Sequence, residues 1–286
     1  MGKVVTEFKS GFVGLKGRAR IYFAHRFAQH SIANPVPPFL KKLRLDQLLV
    51  VRGLCESREK AQRAIMAGDV CVAGQRVDKA GTNVPEDAEV TVKAADRYVG
   101  RGGHKMEGAL TAFHLDPAGW TCLDIGASTG GFTDCLLQHG AAKVWAIDVG
   151  HDQMAWKIRS DARVVVREGL NARYLSSEDI PDPIDLVVID VSFISLTLIL
   201  PPAASLLKPG GVIIPLIKPQ FELGREQVGR GGIVRDTALH EEAIEKVRSF
   251  CAVALPELRW GQVIESPIKG GEGNTEFLAC LTAPSA

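Results

Sequence analysis

The sequence predicts an α/β protein: a mostly parallel sheet with helices on both faces and an antiparallel last strand, with a small α+β module in front. Three observations carry that prediction. From residue 120 onward, near-continuous apolar runs alternate with helical stretches, the pattern of strands buried on both faces. The first run ends in a glycine loop, Leu123-Asp124-Ile125-Gly126-Ala127-Ser128-Thr129-Gly130-Gly131, that passes straight into a helix. An acid, Asp148, closes the second run, 22 residues after Gly126.

The elements follow in chain order. Residues 1–40 read as a basic flexible extension, with Lys3, Lys9, Lys16, Arg18, Arg20 and Arg26 against Glu7, closed by Pro35, Pro37 and Pro38. Residues 41–97 read as the small module. Leu45, Leu48 and Leu49 fall on one face of a short helix that ends near Arg52 and Gly53. Ser57 is a good N-cap for a second helix, Arg58 to Ala67, stopped by Gly68. Strand-like pieces at 70–72 and 90–92 flank a turn at Ala73-Gly74-Gln75. Residues 98–104 form a glycine-rich linker, with a helix expected from Lys105 to about Phe113. The large domain occupies 105–286, with strands expected over 120–125, 143–147, 164–166, 186–189, 212–217 and 276–281.

Charge separates these parts. Residues 1–105 carry 19 Lys and Arg against 10 Asp and Glu, a net +9, whereas residues 106–286 carry 15 against 23, a net −8. A basic front on an acidic body points to a polyanionic partner. No apolar run is long enough to span a membrane: residues 186–200 come closest, and Asp190 and Pro201-Pro202 interrupt and stop them. The six cysteines, Cys55, Cys71, Cys122, Cys135, Cys251 and Cys280, show no C-x-x-C spacing. They read as small packing residues in a reducing compartment, with neither disulfides nor a metal site expected. A cytoplasmic monomer is the expectation.

The glycine loop lets a backbone approach a ligand closely. The third glycine of a dinucleotide fingerprint is replaced by Ser128, and the Gly-Lys-Ser/Thr of a phosphate-binding loop is absent. A ligand with a ribose and an amino-acid tail but no phosphate suits the loop better, with Asp148 accepting the ribose hydroxyls. S-adenosylmethionine is that ligand. The expected cofactor residues are Asp124, Gly126, Ser128, Thr129, Gly130, Gly131, Phe132, Asp148 and Asp190. Asn171, after the third strand, is expected near the adenine edge, although a loop Asn also serves as a turn residue.

Ligands of open parallel sheets bind beyond the carboxyl ends of the strands. Asp190 ends the fourth strand and Lys218 the fifth, so both share the edge that carries the loop. A lysine at the end of an apolar strand is costly to bury unpaired, which a carboxylate neighbour and a catalytic task would explain. An antiparallel last strand starts at the same edge and puts Glu276 beside Lys218; Lys105 reaches in from the side. Phe193 reads equally as a base-stacking or a core residue, and His104, His114 and His151 read as structural or solvated.

Two resemblances sharpen this reading. The run RLDQLLVVRGLCESREKAQRAIMAGDVCVAGQRVDK resembles the S-four RNA-binding domain over residues 43–92. It implies that a basic surface including Arg44, Arg52, Arg58, Lys60, Arg63 and Arg76 grips RNA phosphates, with Arg101 added beyond the module. Residues 98–281 resemble the FtsJ-like ribose methyltransferases through GRGGHKMEGAL, LDIGASTGGFTDCLL, DVSFISL, LIKPQFE and GNTEFL. The two together resemble the TlyA family of rRNA 2′-O-methyltransferases, historically called haemolysins. The resemblance implies a Rossmann-like class I methyltransferase and a Lys-Asp-Lys-Glu tetrad at Lys105, Asp190, Lys218 and Glu276. Lys218 would act as base or stabilise the alkoxide, with Asp190 and Glu276 orienting its ammonium. The Asn/Asp-Pro-Pro motif of amino methylation and the Pro-Cys of carbon methylation are both absent, which leaves a ribose as the expected acceptor; the resemblance implies a cytidine in ribosomal subunit RNA. A non-catalytic ribosome-assembly factor and a haemolysin are the competing readings.

Overall fold

A computed structural model describes residues 41–93 and 96–285; the extension expected over residues 1–40 lies outside them. The chain divides into two compact units after Lys93.

In the first unit β1 (Lys42–Arg44), α1 (Leu45–Val51), α2 (Arg58–Ala67), β2 (Val70–Val72), β3 (Gln75–Arg76), β4 (Asn83–Pro85) and β5 (Val90–Val92) follow one another. β1 pairs with β4, and β2 lies between β3 and β5, all antiparallel. Leu45, Leu48 and Leu49 of α1 close on Ala61 and Ile65 of α2 and on Val70. The expected stops hold: Ser57 Oγ accepts from the Lys60 amide at 3.2 Å, and Gly68 takes φ 77°. In the first turn of α1, the fully buried carboxylate of Asp46 accepts two bonds from Arg44, one from Arg58 and one from Gln62. The Arg44 hydrogen bond leads in holding Asp46 far below the usual carboxylate range.

The second unit opens with α3 (Gly102–Phe113) and continues through β6 (Thr121–Ile125), α4 (Gly131–Gln138), β7 (Lys143–Asp148), α5 (Trp156–Arg159), β8 (Val164–Glu168), β9 (Ile184–Ile189), α6 (Leu200–Ala204), β10 (Leu207–Ile217), α7 (Pro219–Glu222), α8 (Thr237–Ala254), β11 (Arg259–Glu265) and β12 (Phe277–Thr282). Its seven strands run in the order β11-β12-β10-β9-β6-β7-β8. β6 to β10 are parallel, and β12 is antiparallel to both its neighbours. The strand order reverses at β6, flanked by β7 and β9, so the crevice for a ligand opens at the end of β6. One apolar cluster covers each face of the sheet. Among the described residues no helix is long and apolar enough to cross a membrane.

Two features depart from the sequence reading. β11 was not anticipated: it is an edge strand with most positions partly or fully exposed, so it lacks the apolar run that betrays a buried strand. The glycine-rich stretch does not behave as a free linker. Tyr98 is 2 % exposed and belongs to the apolar cluster of α3 and α4, and α3 starts at Gly102, not Lys105. The glycines make room for contact. A Cβ on Gly100 would lie 2.6 Å from Thr129 Oγ1, and one on Gly103 would lie 2.1 Å from the Tyr98 ring. Glu107 fastens this corner, accepting from the Tyr98 hydroxyl, His139 and Arg97, and its pKa falls to about 2, with the Tyr98 bond the largest cause.

Candidate active site

The loop between β6 and α4 is shaped by backbone that other residues would resist. Gly126 has φ 85° and Gly130 φ 90°, and a Cβ on Gly126 would lie 2.4 Å from the Asp190 carbonyl oxygen. Any side chain there would push β6 away from the end of β9. Ser128 takes φ 47°, an αL backbone that a non-glycine residue seldom adopts.

Asp124 lies under the loop, fully buried. Its Oδ2 accepts from the Thr133 amide at 3.0 Å and the Thr133 hydroxyl at 2.6 Å, while Oδ1 has no partner among the described residues. Burial pushes its pKa up to about 7, aided by the charges of Asp190 and Asp148 and opposed by the Thr133 bonds. It braces the loop against α4 from below and lines none of the three cavities around the loop.

Asp148 sits at the tip of β7. Its Oδ2 accepts from the Ser128 amide at 2.8 Å and its Oδ1 from the Gly150 amide at 2.8 Å. Each oxygen retains a lone pair for a further donor. Between Asp148, Ser128 and Asp190 opens a cavity of about 580 Å³, walled by Ile125, Ile147, Leu170 and Val191. Apolar walls with a carboxylate at one end fit a nucleoside: a flat base between aliphatic side chains, a ribose diol on Asp148. Asn171 lines this cavity, but its Oδ1 accepts from the Arg173 amide at 3.1 Å and caps the turn. Thr129, Gly131 and Phe132 line a smaller cavity of about 220 Å³ with Arg101 and Lys105, on the other side of Ser128. Gly130 lines neither cavity; it caps α4 and lies against Ile158.

A third cavity, of about 310 Å³, collects Lys105, Asp190, Lys218 and Glu276 together with Ser192, Phe193 and Phe221. The four expected residues thus meet, but they pair differently from the expectation. Lys218 Nζ lies 2.7 Å from Asp190 Oδ1 and donates to Ser192 Oγ at 2.9 Å. Glu276 lies instead on Lys105, Nζ to Oε2 2.5 Å. The register that aligns Ile217 with Phe277 does bring Glu276 next to Lys218 along the sheet, yet α3 delivers a nearer ammonium. Asp190 borders all three cavities, so it lies where nucleoside and lysine come together.

Sequence reading missed Ser192, Glu222 and Asn274 and left Phe193 undecided. Ser192 is the second donor-acceptor on Lys218. Phe193 is 89 % exposed with φ 63°, its ring 5.0 Å from that of Phe221; this exposure removes the core alternative. Glu222, 3 % exposed, accepts from Ser195 Oγ at 2.6 Å and the Leu196 amide at 2.8 Å, tying the β9 loop to α7. Asn274, 1 % exposed, bonds to Val234 and Gly232 two residues before Glu276. Only Asn274 and Ser192 left a signal, as polar residues beside expected catalytic ones.

The expected RNA-contact cations of the first unit all have partners inside it. Arg44 and Arg58 bond Asp46; Arg52 donates to the Ala88 and Glu86 carbonyls; Lys60 and Arg63 pair with Glu56 and Glu59; Arg76 donates to the Ala67 carbonyl. Their side chains remain substantially exposed, 41 % for Arg44 and 51 % for Arg58, so bracing the fold and meeting phosphates are compatible tasks for one guanidinium.

Comparison with known proteins agrees with this architecture. The family model described as FtsJ-like methyltransferase matches residues 98–283, and that of the S4 domain matches residues 43–90. A Bacillus subtilis chain named as a candidate rRNA methyltransferase, YqxC, is 50 % identical over 250 residues, 85 % of this chain and 87 % of its own. The 16S/23S rRNA (cytidine-2′-O)-methyltransferase TlyA of Mycobacterium tuberculosis is 46 % identical over 247 residues, 84 % of this chain and 90 % of its own. A solved structure from Streptococcus thermophilus that carries a candidate-hemolysin label superposes with a TM-score of 0.65 at 46 % identity, covering 86 % of this chain and 90 % of that one. With the loop, the strand-end lysine and aspartate and both family models in agreement, the chain belongs to the FtsJ-like methyltransferases, in the branch that carries an S4 domain in front of the catalytic domain.

Proposed function

We propose that the protein is an S-adenosylmethionine-dependent methyltransferase of ribosomal RNA, acting on a cytidine ribose 2′-hydroxyl, in free RNA or a ribosomal subunit, in the cytoplasm. The observation that carries this reading is the Lys218–Asp190–Ser192 group opening onto both the nucleoside-sized cavity and the cavity lined by Phe193.

The residues present fit the cofactor. Asp148 offers a free lone pair on each oxygen for a ribose diol, and the loop amides and Asp190 surround the remaining polar end. Bound there, S-adenosylmethionine supplies an electrophilic methyl group. The chain's own residues do the rest. A ribose hydroxyl attacks only as it loses its proton, and Lys218 Nζ is the group placed to hold that proton or to face the developing alkoxide. Asp190 and Ser192 fix the ammonium, so little reorganisation is left for the reaction itself. The Lys105–Glu276 pair adds a fixed dipole on the far wall. Phe193, backed by the half-buried Phe221, offers an exposed aromatic surface, and stacking on such a surface is tolerant of base identity. The S4 unit, with its exposed arginines and lysines, supplies phosphate contacts of low sequence choice.

The test is transfer of labelled methyl from the cofactor to rRNA purified from cells lacking the gene. Label recovered in 2′-O-methylcytidine is expected. Label in a methylated base overturns the ribose assignment, and no label in any rRNA favours a non-catalytic assembly factor.

A further inference from the structure

The segment before α8 and the loop between β11 and β12 enclose a separate cleft of about 280 Å³, lined by Arg235, Lys269, His240 and Thr275 among others. Most cations of the catalytic unit are occupied by acids: Lys143 by Asp182, Lys157 by Asp134, Arg159 by Glu168, Arg163 by Asp161, Lys208 by Asp185. Arg235 and Lys269 have no carboxylate partner among the described residues, and both are exposed.

Their backbone, by contrast, is held at several points. Buried Asn274 accepts from the Val234 amide at 2.9 Å and donates to the Gly232 carbonyl at 2.8 Å; His240, 8 % exposed, meets the Val234 carbonyl at 3.0 Å. On the other side, the Gly270 amide donates to the Asn274 carbonyl at 2.9 Å and Ser266 Oγ to the Ile268 carbonyl at 2.8 Å. The residues on either side of Lys269 and the residue before Arg235 are therefore fixed, while the two charged ends stay free. The neighbouring Asp236 is engaged as the α8 cap, on the Ala238 amide at 2.9 Å. Glu272 lines the catalytic cavity and not this cleft. The same short loop walls both spaces: Gly270 and Asn274 face the catalytic cavity, Lys269 and Gly273 the cleft.

We propose that Arg235 and Lys269 form a phosphate subsite that holds the RNA backbone beside the nucleotide being methylated. The inference rests on the reading of the protein as an RNA ribose methyltransferase. A ribose in the catalytic cavity is flanked by phosphates that must leave along its rim. Residues 106–286 carry a net −8, which on balance repels a polyanion, so cations without a carboxylate partner carry weight there. Two exposed cations on pinned backbone beside the cavity, neither with a carboxylate partner among the described residues, give the phosphate a favourable position, and phosphate contacts set register rather than sequence.

The experiment uses the full chain carrying Arg235→Gln and Lys269→Gln, with unmodified rRNA as ligand and substrate. The KM for rRNA is expected to rise about tenfold with kcat within about twofold, and the slope of log affinity against log salt to become shallower by about 1 to 2. Cofactor affinity stays unchanged, and the charge-keeping Arg235→Lys, Lys269→Arg variant behaves as the parent. Unchanged KM and salt slope overturn the subsite. So does a fall in kcat alone, which assigns the effect to the loop that carries Glu276. If the parent chain methylates no rRNA, the functional reading fails, and the salt slope of binding still tests the cleft by itself.

Discussion

The catalytic cavity holds two lysine–carboxylate pairs, and they differ in what surrounds them. In Lys105–Glu276 both side chains are closed off, 9 % and 4 % exposed. In Lys218–Asp190 the lysine is as deeply set at 9 %, but the aspartate is 21 % exposed and borders every cavity at the loop. A pair buried this deeply can brace α3 against the last strand from the cavity wall, whereas a pair with a more exposed carboxylate leaves more room for a substrate group. Lys218 also has an uncharged second partner, the Ser192 hydroxyl, that can stay in place while a proton moves. Both pairs line the catalytic cavity, and the difference in exposure leads us to propose that bracing falls mainly to the first pair and proton handling to the second.

The largest effect expected from that contrast is on stability at the sealed pair. Glu276→Ala leaves a buried ammonium without its acid and should cost about 4 kcal/mol, within the range for broken buried pairs. Lys105→Met with Glu276→Leu should recover most of it. Denaturant unfolding of the parent and the two variants measures this; equal losses in the single and double variants would break the contrast.

The loop and its flanking elements were legible from residue order, because the tight turn needs glycine and the strand-end acids Asp148 and Asp190 interrupt apolar runs. The S4-like unit was legible from its helix caps at Ser57 and Gly68. Pairing was not legible. Glu276 and Lys105 stand 171 positions apart, and which ammonium lies nearer is set by how α3 packs. Nor did order reveal that Gly100 and Gly103 are packing positions, since a glycine chosen for contact reads like one chosen for freedom. β11 escaped because an edge strand has too few buried positions to show a period.

A smaller effect sharpens the electrostatics on the open side. Asp124 feels the charge of Asp190, and burial raises its pKa to about 7. The folded protein therefore binds this proton more tightly than the unfolded chain. Stability should fall as pH rises from about 4 to about 7, by on the order of 4 kcal/mol, and level off above. Asp46, held low by Arg44, has the opposite sign: its contribution is present above the unfolded pKa and is lost as pH falls through the folded value. Thermal unfolding of Asp124→Asn against the parent between pH 5 and 8.5 should show the first dependence removed. An unchanged profile would place the charge elsewhere.

The smallest effect concerns the nucleotide side of the open pair. Phe193→Ala should raise the KM for rRNA about tenfold, the worth of one lost stacking contact, while leaving unfolding midpoints within experimental error, since the ring is 89 % exposed. A loss of stability without a change in KM would return Phe193 to a packing role.

The division of labour between the pairs is tested most directly by Lys218→Ala, assayed in parallel for methyl transfer to rRNA and for cofactor affinity by calorimetry. Loss of transfer by about 10³-fold or more, with cofactor affinity within about threefold of the parent, is the predicted result. Transfer at the parent rate would contradict it.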